Sequence, residues 1–85
     1  MIEELGLGLV RTNSPAKMGK WSSLAEKLGY DSVWIAEDYF QGGAFSIATA
    51  CALATNRVRI GIGVVNPFTR HPALVAMETA SLDIL

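Results

Sequence analysis

The sequence is poor in the residues that staple, ligate or anchor a chain. It holds one cysteine, Cys51, and one histidine, His71, among 85 residues. A lone cysteine excludes an internal disulfide framework and points to a reducing, cytoplasmic setting. With no second histidine or cysteine at ligand spacing, no metal site is expected. No uninterrupted apolar stretch reaches the roughly 18 residues that a membrane-spanning helix needs. Glu3 and Glu4 stand where a secretory leader would be basic, which argues against one. Charge is scarce as well: charged residues make up 18% of the chain and the net charge is −1. That balance gives no reason to expect nucleic acid or an anionic membrane as a partner.

What the chain has in quantity is apolar surface. Half of it, 51%, is hydrophobic, a high share for a length that buries only about 60–65% of the unfolded surface. Parallel strands covered on both faces read as apolar runs and would account for this. An interface to a further partner would do so too.

The pattern alternates strand and helix three times. Residues 5–10 read as a short strand with large residues on one face and glycines on the other. Ser14-Pro15 supplies a capping hydroxyl and a proline at the first helical position. Met18, Trp21, Leu24, Ala25 and Leu28 then recur at helical spacing as one apolar stripe, and Gly29 is a natural stop. Residues 32–36 form a second apolar strand, and Trp34 and Trp21 are read as core or interface aromatics. An alanine-rich helix follows over 44–54. Residues 58–65 give the clearest strand, with Val58, Ile60, Ile62 and Val64 on one face and Gly61 and Gly63 on the other. His71-Pro72 opens a third helix. Strand–helix units in series imply parallel strands with right-handed crossovers.

In such folds functional groups gather at the C-terminal ends of the strands, here residues 11–13, 37–40 and 63–71. Glu37 and Asp38 are adjacent carboxylates at one such end. Neighbours on a strand point to opposite sides, so one of them can face a site while the other caps a helix or meets solvent. Gly61 and Gly63 weaken a strand unless something needs the space. Either a flat ring lies against bare backbone there, or larger neighbours fill the gap. His71 beside Arg70 at a helix start could hold an anion, although a histidine cap of the turn is the simpler expectation. Cys51, in the apolar alanine helix, reads as a small buried thiol. Gly6-Leu7-Gly8 lacks the third glycine and the following helix of a dinucleotide fingerprint.

Three stretches together resemble the luciferase-like superfamily of flavin-dependent monooxygenases and coenzyme F420-dependent reductases. They are Ala25-Glu26-Lys27-Leu28-Gly29-Tyr30-Asp31-Ser32-Val33-Trp34, Ala52-Leu53-Ala54-Thr55-Asn56-Arg57-Val58-Arg59-Ile60-Gly61, and Val64-Val65-Asn66-Pro67-Phe68-Thr69-Arg70-His71-Pro72, leading into Ala80-Ser81-Leu82-Asp83. The resemblance implies an α/β fold, the first three βα units of a TIM (β/α)8 barrel. It also implies hydride transfer or monooxygenation of a small-molecule substrate at a deazaflavin (coenzyme F420) or FMN ring. In the deazaflavin branch the second strand ends in Asp-His. Here Glu37 and Asp38 take those places as the implied catalytic residues, and a histidine acid–base step does not carry over. Tyr39 and Phe40 match the aromatic positions that follow. The resemblance also implies a cis peptide bond at the matching positions Gly63 and Val64, pressed against the ring, with Asn66 near the ring's edge. Gly61, Gly63, Val64 and Asn66 are thus the implied cofactor-binding residues.

A barrel of this type needs roughly 250 residues. The expectation is therefore one partial domain over residues 1–85, inactive by itself, that completes its sheet with further chain or with copies of itself. The competing expectation is a non-catalytic, shortened paralogue that self-associates or binds a partner. A doubly wound sheet of unrelated function is a third.

Overall fold

Local signals at both ends of the first helix set the first βα unit. In the computed structural model, which describes residues 4–9, 14–37, 43–65 and 68–85, helix α1 (Pro15–Lys27) begins with Ser14 as N-cap. The Ser14 hydroxyl accepts from the Lys17 amide, and Pro15 occupies the first turn. It ends in a Schellman turn: the Tyr30 amide donates to the Ala25 carbonyl at 3.1 Å and the Gly29 amide to the Glu26 carbonyl at 3.2 Å. Gly29 sits at φ +93°, a left-handed conformation that glycine adopts without steric penalty.

Strands β1 (Gly6–Gly8), β2 (Ser32–Ile35) and β3 (Arg59–Ile62) form a parallel sheet in the order β1-β2-β3. Helix α2 (Ala44–Ala54) links β2 to β3, and α3 (Pro72–Ile84) follows β3. His71 caps α3, its Nδ1 accepting from the Ala73 amide at 3.0 Å. The capping role expected of that histidine holds. Each strand is shorter than its apolar run: β3 ends at Ile62, and Val64 stands exposed instead of continuing the apolar face.

Alternation divides the sheet into two unlike faces. Leu7, Leu9, Val33, Ile35, Ile60 and Ile62 pack with Met18 and Ala25 of α1 and with Ala44, Ile47, Ala48 and Cys51 of α2. The register Gly8–Trp34–Gly61 places these three residues side by side on the opposite face. Trp34 lies there 49% exposed, so of the two roles expected from the sequence, core or interface aromatic, it does not fill the first. Among the described residues no helix covers this face.

The apolar stripe of α1 also needs correction. The row turned inward is Met18, Gly19, Ser22 and Ala25, while Trp21, Leu24 and Leu28 are exposed. Small residues win the inner row because α1 and α2 lie close together. A side-chain carbon at Gly19 would stand 3.2 Å from the Ala50 carbonyl oxygen. Ser22 tolerates burial by donating to the Met18 carbonyl at 2.9 Å. Cys51 is buried as expected, and burial pushes its thiol pKa up.

Glu26, at the end of α1, ties the helix layer to β3. Its carboxylate accepts from the amides of Asn56, Arg57 and Val58, the last at 2.7 Å, and the Arg57 side chain donates back to the Glu26 carbonyl. The Val58 and Arg57 amides hold the Glu26 carboxyl below the usual carboxylate range. A group whose pKa falls on folding stabilises the fold above its unfolded pKa, and that contribution disappears as pH drops through the folded value. Glu26→Gln is therefore expected to be less stable than the parent at neutral pH. The gap should narrow as pH falls through the carboxylate range, about 4.3 and below. Urea unfolding followed by circular dichroism at stepped pH checks this; a gap constant with pH would contradict it.

Candidate functional site

The C-terminal ends of β2 and β3 are laced together beyond the strands themselves. The Gly63 amide donates to the Ile35 carbonyl at 2.9 Å, and the Glu37 amide to the Val64 carbonyl at 3.0 Å. Ladder pairing thus continues past the ends of both strands. The Gly63–Val64 peptide bond is cis, as the resemblance implied.

Glu37 continues the alternation of Val33 and Ile35, so its side chain falls on the helix side of the sheet. There its carboxylate meets Arg70: Nε donates to Oε1 at 2.8 Å and a terminal nitrogen donates to Oε2 at 2.6 Å. This is the planar, two-point pairing to which guanidinium is suited. The amide of Ala44, the first residue of α2, donates to Oε2 as well, at 3.1 Å. An anion is favoured at a helix N-terminus. The Arg70 bonds hold the carboxyl below the usual carboxylate range, with the Ala44 amide adding to the effect and partial burial opposing it. Glu37 is thereby kept ionised. Arg70 also lies over the Phe45 ring, 5.0 Å from its centroid. With its guanidinium committed to Glu37, the arrangement does not present Arg70 and His71 as an open anion cradle.

On the opposite face Trp34 spreads over its neighbours. Its indole nitrogen donates to the Ser32 hydroxyl at 3.1 Å. A side-chain carbon at Gly61 would fall 2.5 Å from the Trp34 ring, and one at Gly6 would fall 3.1 Å from the indole nitrogen. Gly6 and Gly61, on the two flanking strands, therefore let one large ring lie across bare backbone. Gly63 differs. Among the described residues, a side-chain carbon there would meet only the Trp34 ring, at the ordinary distance of 3.6 Å, and Gly63 and Val64 are both exposed. Of the sequence-derived candidates, Glu37, Gly61, Gly63 and Val64 come together around these two strand ends. Asp38 and Asn66 lie outside the described residues, as do Tyr39 and Phe40.

Sequence reasoning missed two members of this cluster. Arg70 was read with His71 and not with Glu37, and Trp34 was read as a core or interface aromatic and not as the cover of Gly61. The lateral register gives the signal for the second, because it sets a large ring directly beside Gly61. No group of three or more potential metal ligands occurs among the described residues, and none of the described helices is long and apolar enough to cross a membrane.

Comparison with known proteins places these features. The family model for luciferase-like monooxygenases matches residues 3–85. The chain is 36% identical over 78 residues to the 5,10-methylenetetrahydromethanopterin reductase of Methanolobus tindarius, covering 92% of this chain and 24% of that protein. It is 36% identical over 89 residues to 4-hydroxyprotoasukamycin monooxygenase of Streptomyces nodosus subsp. asukaensis, covering 98% of this chain and 22% of that protein. The solved coenzyme F420-dependent tetrahydromethanopterin reductase of Methanopyrus kandleri superposes with a TM-score of 0.87 at 31% identity, over 94% of this chain and 23% of that one. The three βα units thus match a portion of that reductase's TIM barrel. The chain spans about a quarter of the length of these relatives.

Proposed function

The chain belongs to the luciferase-like monooxygenase family, and from that premise we propose that its strand ends form part of the cofactor site of an oxidoreductase that uses coenzyme F420, with FMN as the alternative ring. The observation that carries the reading is the exposed Gly63–Val64 segment, with bare backbone at Gly63, at the end of a strand whose other glycine is already covered by Trp34. A flat ring fits against such backbone, because no side chain projects from Gly63 to hold it off. Gly63 and Val64 would bear the ring, with Asn66 two residues further along the chain. Gly61 would act one step removed, by letting Trp34 lie flat. The bound deazaflavin would supply a carbon that accepts or donates hydride.

Glu37 and Asp38 divide the acidic work proposed for this end of β2. Glu37, kept ionised by Arg70 and the α2 amide, is unsuited to donate a proton. Asp38, its chain neighbour, is the proposed acid–base group toward a small-molecule substrate. Titrating the protein into F420 and following the anisotropy of its fluorescence tests the reading, with FMN run in parallel. A saturable rise with either ring is expected. A flat response to both rings overturns it.

A second reading rests on a separate observation. A groove of about 740 Å³ opens between α2, β3 and α3, lined by Phe45, Ala48, Val58, Ile60, Val75 and Leu82 among others. A self-associating, non-catalytic module would use it. Light scattering discriminates: a concentration-dependent dimer that binds neither ring favours this second reading.

A further inference from the structure

Glu37 and Arg70 stand 33 residues apart in sequence, yet they join three separate pieces of the strand-end rim. The Glu37 side chain holds the start of α2 through Ala44 and the approach to α3 through Arg70. Its own amide grips the Val64 carbonyl. The two side chains are only 13% and 22% exposed, and Phe45 packs under the guanidinium. The pair between Arg59 and Glu4 offers the contrast: one contact at 2.9 Å, with side chains 78% and 52% exposed. Pairs of that exposed kind contribute little.

We propose that Glu37 and Arg70 are a positioning pair, which holds Val64 and its neighbour Gly63 where a flat redox ring would meet bare backbone, and that Glu37 itself exchanges no proton with substrate. The inference rests on the functional reading above for the ring. Its local part, the fixing of the Gly63–Val64 segment, stands on the hydrogen bonds alone. A carboxylate already engaged by two guanidinium bonds and one helix amide would have to release one of them before it could reach a substrate. Each is a bond to a charged group, stronger than a neutral one.

The test compares the parent with Arg70→Met, Arg70→Lys and Glu37→Gln, with Arg59→Met as control. Three quantities are read: amide exchange by NMR, F420 affinity by fluorescence anisotropy, and the unfolding midpoint. In Arg70→Met and Glu37→Gln, exchange at the Gly63 and Glu37 amides is expected to rise roughly tenfold or more relative to the amides of α1. The F420 dissociation constant should rise roughly 10–100-fold. Arg70→Lys keeps the charge but loses the fork, and should fall between. Arg59→Met should match the parent. If the folded variants bind F420 as the parent does, the positioning pair is overturned and the functional reading survives. If the two amides exchange at parental rates, the pair is overturned as well. If the parent binds no F420, the functional reading falls, and the role of the pair toward a cofactor falls with it.

Discussion

Replacing Ile35 with alanine is expected to cost about 2–5 kcal/mol of stability, the range for large-to-small changes in a core. Ile35 is 1% exposed and sits on the central strand, against Met18 of α1 and Ala44, Ile47, Ala48 and Cys51 of α2. Two of those neighbours are alanines, which carry no flexible side chain that could swing into the space. The cavity would therefore persist, and persistent cavities give the upper part of the range. A chain of this length has a total stability of roughly 0.05–0.15 kcal/mol per residue. The substitution would thus remove a large fraction of the total and lower the melting temperature by about 10 °C or more. Leu53→Ala is the control, since Leu53 is 71% exposed on the same helix layer, and it should move stability by less than about 0.5 kcal/mol. Urea unfolding of the parent and both variants decides. Equal effects from the two would mean that the sheet is not packed on α2 in the register described.

The contrast between Ile35 and Leu53 also shows which parts of the fold were legible in the sequence. Helix starts were legible because proline and a capping side chain act locally: Ser14-Pro15 and His71-Pro72 each mark the residue at which a helix begins. Strand order was legible because consecutive strand–helix units leave few topologies. The inner row of α1 was legible only in part. Apolar periodicity picked out Met18 and Ala25, which are buried, together with Trp21, Leu24 and Leu28, which are exposed, while the close approach of α2 selected Gly19 and Ser22. That selection comes from a contact between Gly19 and Ala50, 31 residues apart in sequence, which no local pattern carries. The same holds at the site. Glu37 could be singled out as an acid at a strand end, but its partner Arg70 lies on the far side of the β3 turn. Only the parallel pairing of β2 with β3 brings the two together. The Glu26 carboxylate and the amides of residues 56–58 are a further case, since backbone donors have no sequence signature of their own.

Gly61→Ala is expected to destabilise the fold by about 1–3 kcal/mol through overpacking, although glycine-to-alanine changes in open extended backbone are usually mild or favourable. The new carbon would stand 2.5, 2.6 and 2.7 Å from three carbons of the Trp34 ring, closer than any relaxed contact. Either the backbone of β3 or the indole has to give. The indole nitrogen is bonded to Ser32 and lies against Gly6, so the ring cannot slide toward β1. Its free direction is outward, where its other surface is exposed. Trp34→Leu should suppress the cost, and the double variant should recover most of the stability. Non-additivity of at least about 0.5 kcal/mol is the mark of residues in contact. Gly63→Ala makes the useful comparison: its added carbon would lie at 3.6 Å from the same ring, so little steric cost is expected, whereas the proposed ring contact would be obstructed. The two glycines thus separate packing from binding: Gly61→Ala should act mainly on stability, and Gly63→Ala mainly on F420 affinity. Unfolding curves and F420 anisotropy on the same samples read both. In a Trp21→Phe background, the emission of Trp34 should shift in Gly61→Ala and stay put in Gly63→Ala. A Gly61→Ala protein with parental stability and unshifted emission would show that the indole does not lie across β3, and the distinction between the two glycines would be lost with it.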